Sequence, residues 1–179
     1  MTDIPSLSNR LISIEFRGET GAGLERLVDL ETGCNLLSPS PQPLYRIVLA
    51  RGLGDEIELT SADAESVAPR VTDSAGERSI VLSYGRHKGL DVRVTCTARL
   101  PCDSALSYWR ISVENRTDLG IRGIHFPVVV TPESLGVDSA DAALRSRFTP
   151  RRLVYSRSRA FSLSINATIA PDCCAIAMD

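Results

Sequence analysis

The feature that most constrains the fold is the alternation of apolar and polar residues over positions 90–100, LDVRVTCTARL. Every second side chain in this run is apolar or a small thiol: Leu90, Val92, Val94, Cys96, Ala98 and Leu100. Successive side chains of a β-strand point to opposite faces, so the pattern predicts a long strand with one buried and one solvated face. Such half-buried strands are typical of antiparallel sheets.

Similar runs on both sides predict that this strand belongs to a meander. A strand at 79–84 precedes it, and the glycine-bracketed loop GRHKG joins the two. Strands at 105–115 and 120–130 follow, joined by the turn-forming stretches PCDS and RTDL. The expected core of the domain is therefore four consecutive antiparallel strands with short connections.

Shorter alternating runs occupy the first third of the chain. Their sequences are RLISIEF (10–16), LERLVDL (24–30), PLYRIVLA (43–50) and DEIELTSA (55–62). Clusters of Gly, Pro, Asn and Ser separate them, and a further strand is expected just before a turn near Gly76. Nothing before residue 133 shows a sustained helical stripe with caps, so the predicted class is all-β.

A second sheet is needed to cover the apolar face of the meander. Burying a Val, Leu or Ile side chain contributes about 1.5–3 kcal/mol, whereas fixing the backbone of each residue costs about 1–2 kcal/mol. Because only every second residue faces inward, the burial free energy of a single layer barely offsets its backbone entropy cost. We therefore predict an antiparallel β-sandwich in which Trp109 and Phe126 form an inward aromatic pair.

The last segment differs in composition from the rest. Residues 145–159, RSRFTPRRLVYSRSR, contain six arginines and no acidic residue. We expect a β-sandwich domain over residues 1–133 and an irregular, Arg-rich tail over 134–179. Two interpretations of the tail remain open: a basic surface loop with a frayed terminus, or a segment foreign to the domain, such as a truncated or frame-displaced gene end.

Charge and composition disfavour several classes of binding partner. The formal net charge is −2, which disfavours a nucleic-acid partner. No apolar run reaches the roughly 18 residues of a membrane helix, and no secretory signal is evident at the start of the sequence. The five cysteines lack metal-ligand spacing, which favours reduced thiols and a cytoplasmic location. No metal and no cofactor is expected.

The turns place four polar or aromatic residues near one another. With PCDS and RTDL as the connections, Thr95 lies opposite Arg110, and Arg110 lies opposite His125. Tyr108 is close to this row. Hydrogen-bond donors beside an aromatic ring suit a polyhydroxylated ligand, so Thr95, Tyr108, Arg110 and His125 are the predicted carbohydrate contacts. The alternative is an ordinary solvated sheet face.

No catalytic residue is predicted. The sequence contains no GxSxG, HExxH, GxGxxG or phosphate-binding loop. The acidic residues that could serve as a glycosidic acid and base are expected on strand exteriors or in turns. His87, within GRHKG, is interpreted as a plain loop residue.

Three segments carry a family resemblance when they are taken in order: GLERLVDLETGCNLL, PLYRIVL and SYWRISVENRTDLGIRGIHFPVV. Together, over residues 9 to 133, they resemble the N-terminal β-domain of certain bacterial glycoside-hydrolase-like proteins, a galactose-mutarotase-like supersandwich. The resemblance implies a carbohydrate-linked function, with the sandwich preceding a (β/α)8 barrel that carries the catalytic carboxylates. The pattern ends near Glu133, which implies a truncated supersandwich without the barrel.

The expected function is accordingly a non-catalytic N-terminal or accessory part of a glycoside-hydrolase-like protein. It would dock to the missing barrel or self-associate through exposed strand edges. One alternative is a stand-alone mutarotase-type aldose epimerase, which would need a histidine acid and a carboxylate base facing one sugar. The other is a protein-interaction module that adds a partner's strand to an exposed edge.

Overall fold

The computed structural model describes residues 6–17 and 23–130, and the backbone of residues 161–170 and 175–178. In chain order the strands are β1 (Ser6–Ser8), β2 (Ile12–Phe16), β3 (Leu24–Asp29), β4 (Arg46–Ala50), β5 (Glu56–Thr60), β6 (Val67–Ser74), β7 (Glu77–Tyr84), β8 (Val92–Pro101), β9 (Ser107–Asn115), β10 (Gly120–His125), β11 (Phe161–Ala170) and β12 (Ala175–Met178). A single 3₁₀ turn, Ser61–Asp63, is the only helical element of the described residues.

The strands form three antiparallel sheets. Two sheets have three strands each, in the orders β1-β2-β3 and β10-β4-β5. The third has six strands in the order β12-β11-β9-β8-β7-β6. The predicted all-β, antiparallel class is therefore confirmed.

Aromatic side chains mark where the smaller sheets pack on the six-stranded sheet. The Trp109 ring of β9 lies 5.8 Å from that of Phe16 and 6.1 Å from that of Phe126, measured between centroids. Tyr45, just before β4, meets Tyr84 of β7 edge to face at 5.0 Å. One continuous core lies between these layers, as in a β-sandwich. The predicted core position of Trp109, which is 2% exposed, is confirmed.

The alternation that predicted β8 is visible in its burial. From Val92 to Leu100 every second side chain is buried, and the residues between are exposed or half-buried. β9 alternates in the same way from Ser107 to Asn115. Each of these strands therefore has an inner face toward the core and an outer face toward solvent.

The predicted register between β8 and β9 is wrong by two residues. Thr97, not Thr95, lies opposite Arg110, and Thr95 lies opposite Ser112. β8 continues through Pro101, because this end of the strand still pairs with β7 and the amide of Cys102 donates to the Gly76 carbonyl at 2.9 Å. The turn therefore begins later than PCDS suggested. A two-residue slip leaves every side chain on its predicted face.

β10 does not continue the meander, which corrects a second prediction. It pairs with β4 in the other layer, and β9 pairs instead with β8 and β11. The crossing follows a turn built by the Asn115 side chain. Its Nδ2 donates to the Leu119 carbonyl at 2.7 Å, and its Oδ1 accepts from the Thr117 backbone amide. The predicted contact between Trp109 and Phe126 is present, but it joins β9 to the residue that follows β10 in the other layer.

Two strands lie within the tail that was predicted to be irregular. The backbone of β11 pairs with β9 along nearly its whole length, with Asn166 opposite Arg110, and β12 pairs with β11. The Arg-rich stretch 145–159 lies outside the described residues. At the other end of the six-stranded sheet, β6 is the last strand.

Candidate functional site

The outer face of the six-stranded sheet collects three of the four predicted contact residues. We call the outward residues of β6–β9 in its middle rows the polar face. They are Ala68, Arg70, Thr72, Ser79, Val81, Ser83, Thr95, Thr97, Arg99, Tyr108, Arg110 and Ser112. Thr95, Tyr108 and Arg110 therefore share a surface, as predicted, although their partners across the strands differ from those expected.

Tyr108 is the aromatic residue of this face. The residue is 37% exposed, and it lies opposite Arg99 on β8. The Arg99 guanidinium carbon is 5.8 Å from the ring centroid, which is cation–π distance. Arg99 also lies 3.8 Å from a Glu77 carboxylate oxygen, so its guanidinium is held between an acid and an aromatic ring.

A second row crosses four strands beside Tyr108. Arg70 lies opposite Val81, Val81 opposite Thr97, and Thr97 opposite Arg110. Neighbouring strands are about 4.8 Å apart, so the backbones that carry Arg70 and Arg110 are separated by roughly 14 Å. The row presents two guanidinium groups with a hydroxyl and a small apolar side chain between them.

His125 does not belong to the polar face, which corrects the predicted row. It ends β10, where it lies exposed and opposite Arg46 of β4. The error follows from the assumed β9–β10 hairpin, since β10 belongs to the other layer. Arg110 instead has the backbone of Asn166 opposite it.

His87 is a polar residue whose structural role was not predicted from the sequence. It was interpreted as a plain loop residue, but it is fully buried. Its Nδ1 lies 2.8 Å from the Val92 carbonyl oxygen, and its Nε2 lies 2.5 Å from the Tyr45 hydroxyl. A carbonyl can only accept, so Nδ1 carries the proton, and neutral His87 accepts the Tyr45 O–H at Nε2. We call this pair the buried corner.

The turn next to His87 explains its burial. Lys88 and Gly89 both have positive φ, of 48° and 78°, as the two central residues of a type I′ turn require. The amide of His87 donates to the Leu90 carbonyl at 3.1 Å, and the amide of Leu90 donates back at 2.8 Å. This tight reversal turns the His87 ring toward the core. The sequence predicted a loop at GRHKG but not the tight turn within it, because Lys-Gly is a weaker turn signal than Asn-Gly.

The surroundings of the buried corner favour neutral side chains. Burial lowers the pKa of His87 from its ordinary 6.5, although the hydrogen bond to Val92 and the charge of Asp63 oppose the change. Burial likewise raises the pKa of Tyr45 and of Tyr84 far above the ordinary value for tyrosine. Both nitrogens of His87 are used within the protein, so the corner is built for packing rather than for contact with a ligand.

Asp63 links this corner to the surface. Its Oδ2 accepts from the Thr60 amide at 2.7 Å and from the Thr60 hydroxyl at 2.8 Å, and its Oδ1 lies 3.1 Å from the Lys88 ammonium. Burial acts to raise the pKa of Asp63, but the hydrogen bonds from Thr60 and the charge of Lys88 hold it below its ordinary 3.8. Asp63 thus fixes the 3₁₀ turn against the His87 loop.

The remaining chemistry of the described residues is sparse. Residues 6–17 and 23–130 contain no group of three His, Cys, Asp or Glu placed to hold a metal ion. Cys96 and Cys102 are free thiols, and burial raises the pKa of Cys96. In that same part of the chain no helix is long and apolar enough to span a membrane.

β6 is the strand edge most relevant to the predicted self-association. All but the first of its residues are exposed, and Val71 on its inward side is 44% exposed. Pro69 lacks an amide hydrogen, and Arg70 and Asp73 place charges along the strand. Proline and charge on an edge strand disfavour the addition of another strand.

Comparison with known proteins assigns no family to the chain. No protein-family model matches the chain. No curated protein matches it significantly.

Proposed function

We propose that this chain is a carbohydrate-associated β-sandwich, the non-catalytic N-terminal or accessory part of a glycoside-hydrolase-like protein, and that the polar face contacts the saccharide. One observation carries the proposal: the half-exposed ring of Tyr108 lies beside Arg99 on a face that also carries Thr97 and Arg110. The segments that resemble glycoside-hydrolase-associated supersandwiches supply the link to a larger carbohydrate-active protein.

The residue types on the polar face match the chemistry of a sugar. The C–H surface of a pyranose packs on an aromatic ring, for which Tyr108 is available. Sugar hydroxyls both donate and accept, and Arg110 and Thr97 provide a rigid donor fork and a hydroxyl that can do either. The outer face of the six-stranded sheet also lets an extended chain lie across several strands.

The epimerase alternative has less support. Its histidine acid would have to face a sugar together with a carboxylate. His87 is fully buried and bonded to Tyr45 and Val92, and His125 lies on the other layer opposite Arg46. Neither histidine is placed beside the polar face.

Partners and location complete the proposal. The sandwich would dock to a catalytic barrel, and the polar face would extend that barrel's contacts with the polysaccharide. We also propose a cytoplasmic location, which the exposed free thiol of Cys102 supports because exposed thiols persist in a reducing compartment.

A Tyr108→Ala variant tests the proposal. The parent protein should retain one or more oligosaccharides on a glycan array, and calorimetry with the best ligand should show about tenfold weaker binding by Tyr108→Ala, because a stacking surface is lost. Ile57→Ala is the matched control, since Ile57 is 38% exposed and lies on β5 of the other layer.

Two results would overturn the proposal. One is a folded parent protein that retains no oligosaccharide. The other is a pair of variants, Tyr108→Ala and Ile57→Ala, that bind as tightly as the parent. Robust mutarotation of glucose or galactose by the purified chain would instead favour the epimerase.

A further inference from the structure

The polar face combines one exposed aromatic ring with a concentration of positive charge. Resting on the function proposed above, we infer that its ligand is an acidic oligosaccharide, one that carries carboxylate or sulfate groups. The inference concerns the class of ligand and uses the charge pattern of the sheet rather than its fold.

The charges on the outer face of the sheet are arranged in rows. The two middle rows are Arg70–Val81–Thr97–Arg110 and Thr72–Ser79–Arg99–Tyr108. They contain three arginines and no acidic residue. We call these two rows the arginine band.

The acidic residues of this face lie outside the band. Glu77 is opposite Pro101 and Ser74 at one end of the strands, and Glu114 is opposite Arg93 toward the other end. Glu114 is already paired with Arg116 at 2.5 Å. Three guanidinium groups thus cross four strands of a chain whose formal net charge is −2, and one of them, that of Arg99, lies 3.8 Å from a Glu77 carboxylate oxygen.

The spacing of the band suits a polymer with repeated charges. Arg70 and Arg110 stand on strands roughly 14 Å apart, and Arg99 lies between those strands in the neighbouring row. The guanidinium groups are therefore spread across the sheet instead of converging on one point. A guanidinium binds a carboxylate or sulfate through two parallel hydrogen bonds, so Arg70 and Arg110 could hold different residues of the oligosaccharide, while Arg99 is oriented by Glu77.

The surroundings of the band favour a saccharide over a nucleic acid. Hydroxyl side chains, Thr72, Ser79 and Thr97, separate the arginines. These groups can hydrogen-bond to sugar hydroxyls between charged positions. Tight nucleic-acid binding needs a broader field of positive charge, and Glu77 and Glu114 border the band instead.

Calorimetry with the purified chain tests the inference. The probes are an oligogalacturonate, a neutral cello-oligosaccharide of the same length, and a short single-stranded DNA, each measured at low and at high salt. The oligogalacturonate should bind at least about tenfold more tightly than the neutral oligosaccharide at low salt, and high salt should remove most of that advantage.

Charge-removing variants locate the site. Arg70→Gln and Arg110→Gln should each weaken oligogalacturonate binding about fivefold to tenfold, because each removes one charge-assisted contact. Their affinity for any neutral oligosaccharide should change less. Arg51→Gln is the matched control: it removes the same charge from the exposed turn after β4, where Arg51 pairs with Asp118. Circular dichroism checks that all variants are folded.

Each outcome decides between the two proposals. Equal or tighter binding of the neutral oligosaccharide overturns the inference and leaves the proposed function standing. Binding of the oligogalacturonate that Arg51→Gln weakens as much as Arg110→Gln also overturns the inference, because attraction is then a general charge effect. If DNA binds more tightly than either oligosaccharide, or if no oligosaccharide binds, the proposed function fails with it.

Discussion

The buried corner and the polar face use similar chemical groups in opposite ways. At the buried corner the Tyr45 hydroxyl donates to His87 inside the core, and the Val92 carbonyl accepts the hydrogen bond from the other ring nitrogen of His87. On the polar face a tyrosine and an arginine lie side by side but remain open to solvent. A buried polar residue whose hydrogen bonds are all made within the protein stabilises the fold. A polar residue at the surface can instead bind a ligand.

This contrast separates stability from binding in a testable way. A change at the buried corner should destabilise the protein and leave saccharide affinity intact. A change on the polar face should do the reverse. The following substitutions are ordered by the size of their expected effect on the free energy of unfolding.

His87→Ala should destabilise the protein most, by about 3 kcal/mol, because it leaves the Tyr45 hydroxyl and the Val92 carbonyl buried without partners and opens a cavity. Chemical denaturation followed by Trp109 fluorescence measures the change. A loss comparable to that of an exposed-site variant such as Leu53→Ala would mean that the corner is not a source of stability; Leu53 is 98% exposed.

Tyr45→Phe should cost less, about 1.5 kcal/mol, because the ring is kept and only Nε2 of His87 loses its partner. The same denaturation experiment applies. In the double variant Tyr45→Phe/His87→Ala the two losses should not add, since both remove one shared hydrogen bond. Additive losses would contradict a direct bond between these side chains.

Lowering the pH should reduce the free energy of unfolding through His87, which is bonded to Tyr45. Burial lowers the pKa of His87 in the folded state below 6.5, so the unfolded chain takes up the proton first. Stability is then complete above about pH 6.5 and falls as the pH drops toward the folded-state pKa. Denaturation midpoints compared between about pH 7.5 and about pH 5.5 should show this, above the range in which carboxylates titrate.

His87→Ala is the control for the pH experiment. Its stability should change less over that interval, because the group with the altered pKa is gone. His125, which is exposed on β10, is retained in this variant. An unchanged slope in His87→Ala would assign the effect to another group.

Arg110→Ala should have the smallest effect on stability and the clearest effect on binding. Arg110 is on the exposed face of β9, so its melting temperature should stay close to that of the parent. Its affinity for saccharide should fall. A binding isotherm identical to that of the parent protein would remove Arg110 from the site.

The sequence predicted elements and faces well because side-chain alternation depends only on neighbours in the chain. The burial of Val92, Val94 and Trp109 and the exposure of Arg110 follow from period two alone. The register between β8 and β9 does not, because shifting the pairing by two residues keeps the same faces. The exact end of β8 at Pro101 depends on its pairing with β7, which no local pattern contains.

Two further features needed information that lies far away in the chain. β10 looks like the next hairpin strand after β9, yet its partner is β4. His87 looks like a loop residue because the side chain that donates a hydrogen bond to it, Tyr45, is distant in sequence. The prediction of the candidate site was therefore partly right. It placed the residues of β8 and β9 together correctly, but it wrongly included His125.

The pairing of β10 with β4 also bears on how the protein folds during synthesis. Ile47 of β4 can pair with Ile124 of β10 only after Ile124 has left the ribosome, so that sheet acquires its third strand late. Until then the β4–β5 hairpin has an unpaired backbone edge. Such long-range pairing slows folding and exposes nascent chains to aggregation, so this protein should benefit from a chaperone that shields early strands.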